Sequence, residues 1–91
     1  MPRRHVVCLF ELMTDEFFEI WQLVAQVRSE LVNQFHPDAF NIGMNDGAAA
    51  GQTVPHAHIH VIPRYRDDVI DPRGGVRWVI PEKAAYWKAP A

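Results

Sequence analysis

The sequence predicts an α+β domain in which an antiparallel sheet packs against one long helix. Three observations carry this expectation. Phe17, Ile20, Trp21, Val24, Val27, Leu31 and Phe35 recur at helical spacing. Two later segments, Phe40–Asn45 and Val54–Ile62, alternate apolar side chains with polar or small ones, the period of half-buried strands. A length of 91 residues with 48% hydrophobic content suits one small domain, residues 1–91, built around one core.

The elements follow in chain order. Met1-Pro2-Arg3-Arg4-His5 leads straight into the apolar run Val6-Val7-Cys8-Leu9-Phe10. Thr14 reads as a helix N-cap, and Asp15 and Glu16 sit where a helix N-terminus favours negative charge. Gln22, Gln26, Arg28, Ser29 and Glu30 fill the polar side of the helix. His36-Pro37 ends it, because a residue before proline is pushed out of the α region and a histidine suits the negative end of the dipole. The first strand, Phe40–Asn45, closes on the turn pair Asp46-Gly47. A loop of small residues, Gly47–Thr53, leads into the second strand, which Pro63 stops. Residues 64–91 carry Pro72, Pro81 and Pro90 and read as a mostly irregular tail with a short extended piece at Val76–Ile80.

Composition narrows the function classes. Nine Lys and Arg against eleven Asp and Glu give a net charge of −2, a poor match to a surface that coats DNA or RNA. Cys8 is the one cysteine, which excludes an intrachain disulfide and a cysteine-based zinc site. A reducing, cytoplasmic compartment is the default expectation. No apolar run approaches the ~20 residues of a membrane span, and no signal-peptide core opens the sequence.

Five histidines are many for this length, and His56, His58 and His60 lie within five positions. On a strand, side chains at i, i+2 and i+4 share one face, so these three project together about 7 Å apart. Ala57, Ile59 and Val61 then face the other way, toward the helix. The preceding strand agrees: Phe40, Ile42 and Met44 join the apolar side, leaving Asn41, Gly43 and Asn45 beside the histidines. A neutral imidazole is a competent nucleophile when a neighbour fixes its tautomer, and a second can carry a proton for a leaving group. The glycine-containing loop offers backbone N–H groups for phosphate, and Gln52 and Thr53 add side-chain donors. Phosphoryl or nucleotidyl transfer fits all these parts. A three-histidine metal site and a purely structural polar face remain open on the same spacing. Arg64, Arg73 and Arg77 are candidates for distal phosphates or plain solvated charges; Trp78 and Trp87 are candidates for a subunit seam, a lid or ordinary packing.

Gly51-Gln52-Thr53-Val54-Pro55-His56-Ala57-His58-Ile59-His60-Val61-Ile62-Pro63-Arg64 resembles the signature of the histidine triad (HIT) superfamily, in which histidines alternate with apolar residues. Asn45-Asp46-Gly47 is similar to that family's Asn-x-Gly turn, and Pro2-Arg3-Arg4-His5 to its earlier basic segment. The likeness runs from residue 2 to about residue 64 and includes the long helix. It looks closer to the dinucleoside polyphosphate hydrolase (fragile histidine triad) branch than to the phosphoramidases. The resemblance implies that His58 attacks the α-phosphorus of a nucleotide and forms a covalent nucleotidyl-enzyme. His56 and His60 would position it, with His5 behind them, and Asn45, Gly51, Gln52 and Thr53 would bind phosphate. It implies a nucleotide substrate and no protein-bound metal or cofactor, any magnesium being carried by the substrate. It also implies a homodimer whose two sheets run on as one. Family members carry a helix and strands before the basic segment that form the nucleoside pocket. The expectation is therefore a domain partial at its N-terminus, completed by a partner or acting as a nucleotide-binding module with impaired turnover.

Overall fold

The computed structural model describes residues 6–88. The long helix, α1, spans Thr14–Phe35. Its N-cap is Met13, one residue earlier than the sequence suggests, because the Glu16 carboxylate accepts the Met13 backbone N–H at 3.0 Å. That bond reaches back to the N-cap amide, the glutamate half of a capping box, and differs from the N2 or N3 amide bond a Thr14 hydroxyl would accept. At the other end His36 takes the left-handed conformation, φ 50°, ψ 52°, and its N–H reaches the Val32 carbonyl at 3.0 Å. This is the αL cap that commonly ends a helix, here on a residue that Pro37 bars from continuing.

Two strands follow, β1 at Ala39–Gly43 and β2 at His60–Arg64, paired antiparallel. Ile42 opposes Val61 and Phe40 opposes Pro63, while Gly43 opposes His60 and Asn41 opposes Ile62. Opposed residues share a face, so Phe40 and Ile42 lie on one side and Asn41, Gly43 and His60 on the other. Both faces match the expectation from alternation. The helix lies on the Phe40 side, where the Arg28 guanidinium sits 4.8 Å from the ring centroid.

The strand limits differ from the sequence reading in three places. β1 ends at Gly43, so Met44 and Asn45 already belong to the loop. β2 runs through Pro63 to Arg64, because each strand pairs with one neighbour among the described residues and a proline without an N–H is tolerated on such an edge. Residues 54–59 lie outside the ladder, since β1 offers them no partner beyond Gly43.

The core is small. Val6, Leu9 and Ala57, each under 5% exposed, pack with half-buried Leu12, Phe17, Ile20, Met44 and Ile59. The helix stripe has the predicted phase: Phe17, Ile20, Val24, Val27 and Leu31 are half-buried. Trp21 and Phe35, at its margins, are exposed. A groove of about 200 Å³ separates Ile20, Leu23, Val24 and Val27 from Leu9, Ala57, Ile59 and Val61.

The tail is more ordered than its prolines suggest. The expected extended piece is instead a 3-10 helix, Gly75–Val79, followed by the short helix α2 at Pro81–Ala84. Gly74 is the reason: at φ 91° its backbone is in the region that favours glycine, and a Cβ there would lie 2.9 Å from the Ala84 carbonyl oxygen. Trp78 Nε1 donates to the Arg73 carbonyl at 2.6 Å. Arg73 pairs with Asp71 at 3.1 Å and lies 4.6 Å from the Trp87 ring centroid. Arg77 stacks 4.9 Å from the Tyr86 ring centroid and donates to the Lys83 carbonyl at 3.2 Å. Both tryptophans therefore make contacts within the tail.

Arg64 ties this tail to the sheet. Its Nε and Nη2 form a fork on the Asp68 carboxylate at 2.7 and 2.8 Å, and Nη1 donates to Asn41 Oδ1. The guanidinium, with the Tyr65 N–H, holds the Asp68 carboxyl below its ordinary value of 3.8. A carboxyl lowered in the folded state stabilises the fold fully above its unfolded pKa, and that contribution fades as pH falls below it. Urea unfolding of Asp68→Asn is therefore expected to give a lower midpoint than wild type at neutral pH. The two midpoints should converge as pH falls below about 3.8; a gap independent of pH would contradict the assignment.

Candidate active site

The histidine segment keeps strand-like alternation without a strand ladder. Ala57 is buried and Ile59 half-buried on the core side, while His56, His58 and His60 line a cavity on the opposite side. A backbone bond from outside the loop holds the segment in place, from the Ala57 N–H to the Val6 carbonyl at 2.7 Å. The His56 and His58 rings lie with centroids 5.8 Å apart and planes at 58°.

The cavity measures about 150 Å³ and is lined by Asn45, Gly51, Gln52, Thr53, Val54 and the three histidines. Of the residues the resemblance places at the site, all but His5 are thus gathered around one space. His5 and its neighbours Pro2, Arg3 and Arg4 lie outside the described residues. Among the described residues, no carboxylate lines the cavity, so an anion entering it meets imidazoles, amides and a hydroxyl.

The loop beneath is built on two glycines. Gly47 at φ 100° and Gly51 at φ 97° flank a 3-10 turn at Ala48–Ala50. The Gln52 side chain clasps this turn. Its Oε1 accepts the Gly47 N–H at 2.9 Å, and its Nε2 donates to the carbonyls of Val7 at 2.9 Å and Val54 at 3.1 Å. The N–H groups of Ala50, Gly51 and Gln52 are likewise spent inside the loop, on Ala48 and Gly47 carbonyls. The glycines therefore serve a rigid turn more than a cradle of free amides. Of the polar side chains lining the cavity, those of Asn45, Thr53, His58 and His60 make no hydrogen bond among the described residues. A Cβ on Gly51 would stand 3.9 Å from Asn45 Nδ2, which shows how closely that amide approaches the loop.

Several expectations resolve differently. Arg64, Arg73 and Arg77 are held by Asp68, Asp71 and the Lys83 carbonyl, and none lines the cavity. Among the described residues, no three His, Cys, Asp or Glu side chains are placed to hold a metal ion, so the three-histidine metal reading lacks a converging donor set there. Sequence reasoning missed the part of Val54 in the lining and of the Val7 carbonyl as anchor for Gln52. Neither carries a signal, since one is an ordinary aliphatic and the other a backbone atom. No helix among the described residues is long and apolar enough to cross a membrane.

Comparison with known proteins agrees with this arrangement. The chain is 41% identical over 68 residues to the asymmetrical bis(5'-nucleosyl)-tetraphosphatase of Schizosaccharomyces pombe, a match covering 75% of the chain and 37% of that protein. It is 37% identical over 67 residues to a bis(5'-adenosyl)-triphosphatase of Dictyostelium discoideum, covering 74% of the chain and 45% of that protein. The chain thus spans less than half the length of these relatives. Among solved structures, a HIT family protein from Bacillus anthracis superposes with a TM-score of 0.67 at 37% identity, over 71% of this chain and 46% of that one. The C. elegans NitFhit protein gives 0.71 at 32% identity, over 94% of this chain and 20% of that one. A model of the HIT domain matches residues 1–67, which hold the helix, both strands, the loop and all three cavity histidines, and the chain belongs to that family.

Proposed function

We propose that this chain carries the catalytic part of a nucleotide hydrolase that cleaves dinucleoside polyphosphates or nucleotide conjugates through a nucleotidyl-histidine on His58. The observation that supports it best is the meeting of His56, His58 and His60 with Asn45 and Thr53 around one cavity, which no carboxylate lines among the described residues. Relatives named as a tetraphosphatase and a triphosphatase share the segment that builds it.

The chemistry divides into two displacements. A ring nitrogen of His58 forms a P–N bond as the P–O bond to the leaving group breaks, and the departing oxygen takes the electron pair and a proton from a neighbouring imidazole. Water then forms a P–O bond as the P–N bond breaks, returns a proton to that imidazole and releases a nucleoside monophosphate. His56 and His60 orient the nucleophile and the phosphate, and His5 supports them from the N-terminal segment. Asn45 and Thr53 donate to phosphate oxygens, where charge develops. Gly51 and Gln52 fix the loop from which Thr53 projects. A second copy of the chain that continues the sheet is part of the proposal, and a cytoplasmic setting suits its nucleotide substrates. A nucleotide-binding module with impaired turnover is the second reading, favoured by the short span relative to the curated relatives.

His58→Ala is expected to lower diadenosine tetraphosphate turnover by on the order of a thousandfold or more, with unchanged circular dichroism. Wild-type turnover in that variant would remove His58 from the mechanism. Calorimetry that finds AMP bound by the wild-type chain, with no product from the tetraphosphate, would select the binding module. Gln52→Glu places an anionic oxygen against the Val7 and Val54 carbonyls and is expected to cost about 1–3 kcal/mol in urea unfolding. An unchanged midpoint would show that the clasp does not support the loop.

A further inference from the structure

A second and larger hollow adjoins the triad. It measures about 850 Å³ and shares Asn45 and His60 with the histidine cavity. Its floor includes Gly43, Met44 and Ile62, and its far wall is Val76, Val79 and Ile80 from the tail. Val79 is 82% exposed, and Val76, Ile80 and Ile62 are exposed as well. Among the described residues, no Asp, Glu, Lys or Arg side chain lines the hollow. The wall is held in place: Arg64 links Asn41 to Asp68, and the Gly74-Gly75 turn rests against Asn41, where a Cβ on Gly75 would come within 3.2 Å of its Nδ2.

Gly43 supplies an independent pointer to a ligand. It ends β1 opposite His60, on the histidine face, and its backbone has no positive φ that would demand glycine. A Cβ built there meets nothing within 4 Å. Neither conformation nor packing accounts for glycine at this strand position, and such glycines often mark where a ligand approaches the backbone.

Resting on the hydrolase reading above, we infer that this groove is the leaving-group subsite and selects nucleotide conjugates whose departing group is aromatic or otherwise apolar. The order of residues supports this. His60 stands between His58 and the groove, so a phosphate at His58 directs one substituent past His60 onto Gly43, Ile62 and Val79. Apolar contact with Ile62, Val76 and Val79 favours a planar ring over a bare phosphate, whose charge would lose hydration with no Lys or Arg side chain among the described lining residues to offset it.

The test compares two AMP derivatives that differ in the group released, the 1-naphthyl ester and ADP, in the full chain. Gly43→Val narrows the floor with a residue suited to a strand, and Val79→Asp charges a wall residue too exposed to matter to the fold. Each is expected to lower kcat/KM for the naphthyl ester about tenfold and to leave ADP hydrolysis within about twofold. If Gly43→Val fails to fold, Val79→Asp decides alone. Equal effects on both substrates, or none, would overturn the groove assignment while leaving the hydrolase reading intact. A selective loss accompanied by a changed sedimentation coefficient would assign the groove to a subunit interface and overturn it too. Hydrolysis of neither compound by the wild-type chain would overturn the hydrolase reading and the subsite with it.

Discussion

The hydrogen bond from the Ala57 N–H to the Val6 carbonyl, 2.7 Å long, fixes the segment on which the site depends. Strand pairing with β1 ends at Gly43–His60, so His56 and His58 gain no ladder bonds from that side. Burial of Ala57 beside Val6 and Leu9 and the bond to Val6 together anchor the segment's core-facing side, and alternation turns the histidines outward. The Gln52 amide adds a second tie to the same N-terminal segment through the Val7 carbonyl. The placing of the histidines thus depends on residues 6 and 7, which have no reactive groups of their own.

This dependence explains which parts of the molecule were legible in the sequence. Helix α1 announces itself because apolar spacing and the His36-Pro37 stop are local signals, and its limits shift by a single residue at the cap. The faces of β1 and β2 were legible because period-2 alternation fixes which side each residue takes, whether or not a partner strand is present. Strand limits were not, because they depend on where a partner ends. Residues 54–59 alternate like a strand, yet their neighbour stops at Gly43. The tail misled for a different reason. Val76–Ile80 is apolar and β-branched enough to read as extended, but the Gly74-Gly75 turn and the buried Ala84 fold it into a 3-10 turn against α2.

The site shows the same division. That the three histidines, Asn45, Gly51, Gln52 and Thr53 lie close together was legible, and they share one cavity. The division of labour within the loop was not, since it rests on which donors are already spent. Gln52 and the Ala50, Gly51 and Gln52 amides stabilise the turn, which leaves the Asn45 and Thr53 side chains unspent at the cavity. The arginines follow the same logic. Positive charge near a histidine cluster suggests phosphate contacts, but a guanidinium held by a carboxylate fork has little left to offer a substrate.

The central claim, that His58 becomes covalently nucleotidylated, is tested most directly by trapping the intermediate. Wild-type chain mixed with diadenosine tetraphosphate, quenched in the pre-steady state under alkaline conditions and digested, should yield a peptide containing His58 that carries one added adenylyl group. Fragmentation should place that group on His58, and His58→Ala should show no such adduct. An adduct on His56 or His60, or rapid turnover with none on any histidine, would contradict the account.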